Sequence, residues 1–164
     1  MKNARRQIPL LAVPFLIGCG GSHHPSDGVL LENFARNEEG FERLVAMLRE
    51  DRELSRVANN WTDPTDPSTI GVTPERIKTY RKLFEKVCIP EGSSYGRDPR
   101  DGSEEFEFIS STYGLMVGGS WKGYVHLQKP PDPIVMDLDT YQPPEGSFTA
   151  YRHIKGNWYL VLSH

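Results

Sequence analysis

Long apolar runs are missing from this chain of 164 residues. The most apolar stretch, Ile8 to Ile17, is too short to cross a hydrocarbon core of about 30 Å as a helix, and Pro9 and Pro14 weaken it as one. Cysteine is scarce, with Cys19 and Cys88 the only two. Positive charge is not in excess either: 19 Lys and Arg stand against 22 Asp and Glu, a formal net charge of −3. Without a basic cluster, nucleic acid and anionic lipid are excluded as expected ligands. No Walker loop, dinucleotide fingerprint or His-Glu-x-x-His helix occurs. Internal repeats and low-complexity tracts are also absent, and nothing marks a second domain.

What is present begins at the N-terminus. Lys2, Arg5 and Arg6 precede the apolar stretch, and Leu16-Ile17-Gly18-Cys19 closes it. Positive flank, length and ending fit a cleavable export signal rather than a membrane span. Leu-Ile-Gly-Cys resembles the lipobox of bacterial lipoprotein precursors. That resemblance, which covers about the first 20 residues, implies that the sulfur of Cys19 receives a diacylglyceryl group. It also implies cleavage before Cys19 and acylation of the new amine. Two or more acyl chains hold stably to a bilayer, at about 0.8 kcal/mol per buried methylene. The expected location is therefore the extracytoplasmic side of a bacterial cell membrane. Gly20, standing where an aspartate would favour inner-membrane retention, points to the outer membrane where the source has two. Arg5-Arg6 leaves both general and twin-arginine export open.

Cleavage after residue 18 leaves a chain long enough for one domain with one core. The leader holds three basic and no acidic side chains, so the rest carries a formal charge of −6. With Cys19 a thioether, Cys88 has no disulfide partner. Its position at the end of an apolar helical stripe predicts a buried structural cysteine. Residues 19–28 read as the lipidated cysteine and a flexible polar tether. His23 and His24 lie on it without companion metal ligands.

Beyond the tether, one α+β domain is expected over 29–164. Leu30, Phe34, Phe41, Leu44, Val45 and Leu48 recur at a helical period, with Asp27 as N-cap and Gly40 marking a kink or break. A short strand is expected within 54–61. Thr73-Pro74-Glu75 starts a second helix with Ile77, Tyr80, Phe84, Val87 and Cys88 on its apolar face, stopped by Pro90 and Gly92. After a polar loop over 92–103 the period changes to two. Phe106 and Phe108 lead, Trp121, Val125 and Leu127 alternate with Lys122, Tyr124 and His126, and a hairpin turning at Lys155-Gly156 ends the chain. Residues 134–138 read as one helical turn. The pattern predicts an antiparallel sheet of about five strands in hairpins, with both N-terminal helices on one face. The stretches 111–124 and 156–160 are similar to segments of small exported bacterial proteins of no assigned activity, a resemblance that supplies no catalytic residues.

Two functional classes remain. Alternation places Tyr124 with His126, and Tyr151 with Tyr159, on the helix-free face, a candidate binding surface for an envelope protein, peptide or glycan. The expected role is then a membrane-tethered, non-catalytic binding or accessory domain without cofactor or metal. The alternative is a small envelope hydrolase centred on His126 or His153, with Ser110 or Ser120 and an acid such as Asp137. Asp132, Asp137 and Asp139 lack the spacing of a twelve-residue calcium loop and read as a solvated acidic loop.

Overall fold

The structure, a computed structural model, describes residues 24–114, 119–143 and 145–164. The leader and Cys19 lie outside the described residues.

Helix α1 (Asp27–Glu50) buries Leu30, Phe34, Phe41, Leu44, Val45, Met47 and Leu48 along one side. Its N-cap is Ser26, whose Oγ accepts from the Val29 N–H. Asp27 is thus the first helical residue rather than the cap, and its buried carboxylate serves tertiary partners instead. The kink falls at Asn37 (φ −123°, ψ 17°), not at Gly40. There the Asn37 side-chain amide donates to the Asn33 carbonyl and side chain, competing with the helix's own bonds. Helix α2 (Pro74–Lys86) starts as expected, with Thr73 accepting from the Arg76 N–H and Pro74 in the first turn. Cys88 follows it with φ 54° and is exposed, so the buried reading of this cysteine is corrected. The chain reverses in a left-handed conformation here, which turns the side chain off the apolar stripe.

Gly40 has a different task from the one expected. A Cβ there would lie 2.6 Å from Cγ1 of the buried Val87, so glycine lets the end of α2 approach α1. Gly40→Ala gains about 1 kcal/mol of helix propensity. Overpacking a close contact costs about 1–3 kcal/mol. A net loss of stability, read as a lower urea midpoint, is the expected outcome.

The sheet has seven antiparallel strands among the described residues: β1 (Arg56–Val57), β2 (Thr62–Asp63), β3 (Ser93–Arg97), β4 (Glu104–Tyr113), β5 (Ser120–Leu127), β6 (Thr149–Lys155) and β7 (Trp158–Ser163). Their order is β2-β1-β3-β4-β5-β7-β6. The expectation of about five strands is low for two reasons. The expected short strand is a pair of two-residue strands, Arg56 facing Asp63 and Val57 facing Thr62. Part of the expected polar loop is β3, whose Ser93, Ser94, Tyr95, Gly96 and Arg97 pair in register with Phe108 to Glu104. Residues 134–138 form no helical turn. Ile134 makes a parallel bridge to Tyr151, and the Val135 N–H donates to the Tyr151 carbonyl at 2.7 Å, shielding the edge of β6.

Both helices contribute to one core with Phe106, Phe108, Tyr124, Trp158 and Leu160 from the sheet. Phe41 meets Tyr124, Phe108 and Trp158 at centroid separations of 4.6, 5.9 and 5.7 Å. This packing corrects the face assigned to β5. Tyr124 and His126 point under the helices, while Val125 lies on the opposite side with Tyr159 and Val161. The phenol of Tyr124 is fully buried, donating to the Leu30 carbonyl at 3.0 Å and accepting from Asn33 Nδ2 at 2.9 Å. A satisfied hydroxyl costs little to bury, so polarity did not reveal which side of β5 faces inward.

Candidate functional site

The helix-free face carries a small apolar cluster of Val125, Tyr159 and Val161, flanked by half-buried Trp121, Leu127 and Tyr151. Of the four residues expected there, Tyr151 and Tyr159 are on this face. Tyr124 and His126 are not. Tyr159 is itself buried, its ring 5.1 Å from that of His153, which leaves Tyr151 the accessible aromatic of the original set.

At one end of this face the surface deepens into a cleft of about 470 Å³. Leu127 and Tyr151 supply its apolar lining, with Glu105 alongside. The β3–β4 turn and residues 128–132 form its walls. Its charges are mostly used internally. Asp98 binds Arg100, Asp101 binds Lys129 at 2.5 Å, and Glu104 binds Arg49 at 3.0 Å. Glu105 has no such cation. Burial first, then Glu107 and Asp98, hold its carboxyl above the usual glutamate range. Burial and the same glutamates raise the Tyr151 phenol. An aromatic ring, an aliphatic floor and a carboxyl group in a concave site are elements that can recognise a ligand.

The far end of the strands holds a second constellation. Lys122 is almost fully buried, with Nζ 2.7 Å from Asp27 Oδ1 and 2.5 Å from Asp139 Oδ1. Asp27 Oδ2 accepts from Arg152 at 2.9 Å and from the Leu138 N–H at 2.8 Å. The Asp27 N–H donates to Asp139 Oδ2 at 2.8 Å. Burial alone would raise the Asp27 carboxyl, but the bonds from Lys122, Arg152 and Leu138 outweigh it and hold it below the ordinary value of 3.8. Asp27, Asp137 and Asp139 come close enough together to share a cation. Lys122 already supplies that positive charge, so the set reads as an ion-pair clasp between α1, the sheet and the 134–139 segment.

Beside the clasp, His24 bridges β4 and β5. Nδ1 lies 2.7 Å from Ser111 Oγ and Nε2 lies 2.7 Å from Ser120 Oγ. Ordered structure therefore extends into the expected 19–28 tether, with α1 starting at Asp27. No sequence signal marks this contact, because the histidine and the serines are 87 and 96 positions apart.

The two histidines of the hydrolase alternative are employed otherwise. His153 Nε2 is 3.0 Å from the Gly156 carbonyl, across the tight turn. His126 packs edge-on between Phe106 and Trp158, at 5.8 and 5.0 Å, and its Nδ1 is buried without a hydrogen bond. Neither holds a serine and an acid. Burial, then Arg49, lowers the His126 pKa from the ordinary 6.5. A group depressed in the folded state contributes stability that is present above its unfolded pKa and lost as pH falls through its folded one. Stability is thus expected to decline below about pH 6.5, and His126→Leu to flatten that decline in urea titrations between about pH 5 and 6.5.

The fold and cleft together define a helix-covered antiparallel α+β domain with a ligand-sized recess on its open face. No protein-family model, curated protein or solved structure matches the chain. No helix among the described residues is long and apolar enough to cross a membrane.

Proposed function

We propose that this protein is a lipid-anchored component of a bacterial cell envelope. Its domain acts as a non-catalytic binding or accessory module, and the cleft at Tyr151 is its recognition site. The observation that carries the binding half is the cleft itself, where Leu127, Tyr151 and an unpaired Glu105 converge in a recess of about 470 Å³. A volume in the range of about 300–1,000 Å³ suits a side chain or sugar of a larger ligand. The Cys19 lipobox carries the location. Envelope protein, peptide and glycan remain the ligand classes that such chemistry serves.

The test is crosslinking in native membranes from a photoreactive residue at Gln128, on the cleft wall, with Lys78 on α2 as the control position. A discrete adduct from position 128, weakened by Tyr151→Ala and absent from position 78, is expected. Identical adduct profiles from the two positions would defeat the recognition role.

A further inference from the structure

We infer that the cleft at Tyr151 takes a basic side chain, a lysine or arginine presented by a peptide segment of a partner protein. This rests on the cleft being the recognition site and names the chemistry of its ligand.

The surroundings of Glu105 make the first argument. Glu105 stands opposite Leu127 and Glu107 opposite Val125, while Phe106 between them packs into the core. Both glutamates therefore lie on the helix-free face. Glu105 is half-buried, and its side chain has neither an ion pair nor a hydrogen bond among the described residues. Glu107 accepts from the Ser94 hydroxyl, a neutral donor that leaves its charge in place. Burial, then Glu107 and Asp98, disfavour the charged form of Glu105. An ammonium or guanidinium beside it would favour that form again, so a cation relieves a conflict that the fold leaves standing.

The Tyr151 ring makes the second. It is half-buried against Val125, Tyr159 and Val161, and Glu105 and Glu107 both act on its phenol. A carboxylate and an aromatic ring about one recess hold a cation together, one by charge and the other by its ring quadrupole. Leu127, Pro130 and Pro131 supply an apolar lining along which the methylene stem of lysine or arginine can lie.

The third argument is which charges in the cleft are already spent. Its two cations, Arg100 and Lys129, are bound to Asp98 and Asp101. Glu104 draws on Arg49 from α1. Glu105 and the exposed Asp132 remain, a surplus that repels an anionic ligand and attracts a basic one. The formal charge of −6 beyond the leader favours the approach of such a partner.

The test measures peptide binding by fluorescence polarisation, using the full acylated chain in phosphatidylcholine nanodiscs. The probes are end-blocked pentapeptides with lysine, arginine or uncharged norleucine between pairs of glycines. Spermidine and chitotriose are the free-amine and glycan competitors. The basic peptides are expected to bind at least about tenfold more tightly than the norleucine peptide, as for a hydrogen bond to a charged group. Glu105→Gln is expected to remove most of that difference. Tyr151→Leu is expected to weaken both basic peptides about fivefold, and Tyr151→Phe, which keeps the ring, to leave them unchanged. Basic peptides bound no better than norleucine, or equally well by Glu105→Gln, would overturn the inference. Binding of spermidine or chitotriose without the basic peptides would overturn it too. A discrete adduct from position 128 alongside any of these contrary results would leave the recognition role standing. Matching adduct profiles from positions 128 and 78 would overturn both.

Discussion

Lys122→Ala is expected to destabilise the domain by about 3–5 kcal/mol, the range for breaking a buried ion pair by removing one partner. The side chain is 3% exposed and touches two carboxylates, one of them, on Asp27, only 2% exposed. Without the ammonium, Asp27 keeps Arg152 and the Leu138 N–H but loses its most buried cation. The loss is expected as a lower urea midpoint with little change in slope. A cycle with Asp27→Asn separates the pair from its burial cost. The double variant should lose less than the sum of the singles, because the buried Asp27 site no longer holds a carboxylate left without Lys122. The pH profile carries the same signature with a definite sign. Asp27 is depressed in the folded state, so its contribution is present above about pH 4 and lost as pH falls through the folded pKa. In Lys122→Ala the leading opposing influence, burial, regains ground, and that acid-side loss is expected to shrink.

The second large effect concerns location. Cys19→Ala removes the only thiol at the lipobox and is expected to abolish acylation and signal cleavage. The variant should migrate as the longer precursor and fail to incorporate labelled fatty acid, whereas Cys88→Ser should be processed as the parent. Two acyl chains separate stable from marginal attachment, so an intermediate phenotype is not expected. A variant still cleaved and lipidated would defeat the lipobox reading. Its replacement is expected to leave the urea midpoint of the domain unchanged. The two variants thus divide folding from address.

The helices and the final hairpin were legible because each advertises itself locally. Phe34, Phe41 and Leu48 keep a helical period, Thr73-Pro74 marks a helix start, and Lys155-Gly156 turns β6 into β7. β3 was not legible, since Ser93, Ser94 and Gly96 have little strand preference and are ordered by pairing with β4. The inward side of β5 was hidden for a related reason. Lys122, Tyr124 and His126 look like an outward set, yet two carboxylates, a carbonyl and a ring sandwich receive them. Val125 is also buried on the other side, so neither parity stands out. The clasp joins residues up to 125 positions apart, and pairing at such separations leaves no local pattern. Of the candidate binding residues, half-buried Tyr151 lies on the helix-free face because its neighbours on β6 turn the other way: Ala150 faces the core and Arg152 reaches Asp27. The cleft itself arises from segments around 98–105, 127–132 and 151, which meet only in the fold.

The most direct test of a lipid-anchored domain is the mass of the mature N-terminal peptide from purified membranes. A tryptic peptide running from Cys19 to Arg36 and carrying a diacylglyceryl group on the sulfur is the predicted result. A peptide with an unmodified Cys19 thiol, or a mature chain starting at another residue, would contradict the account.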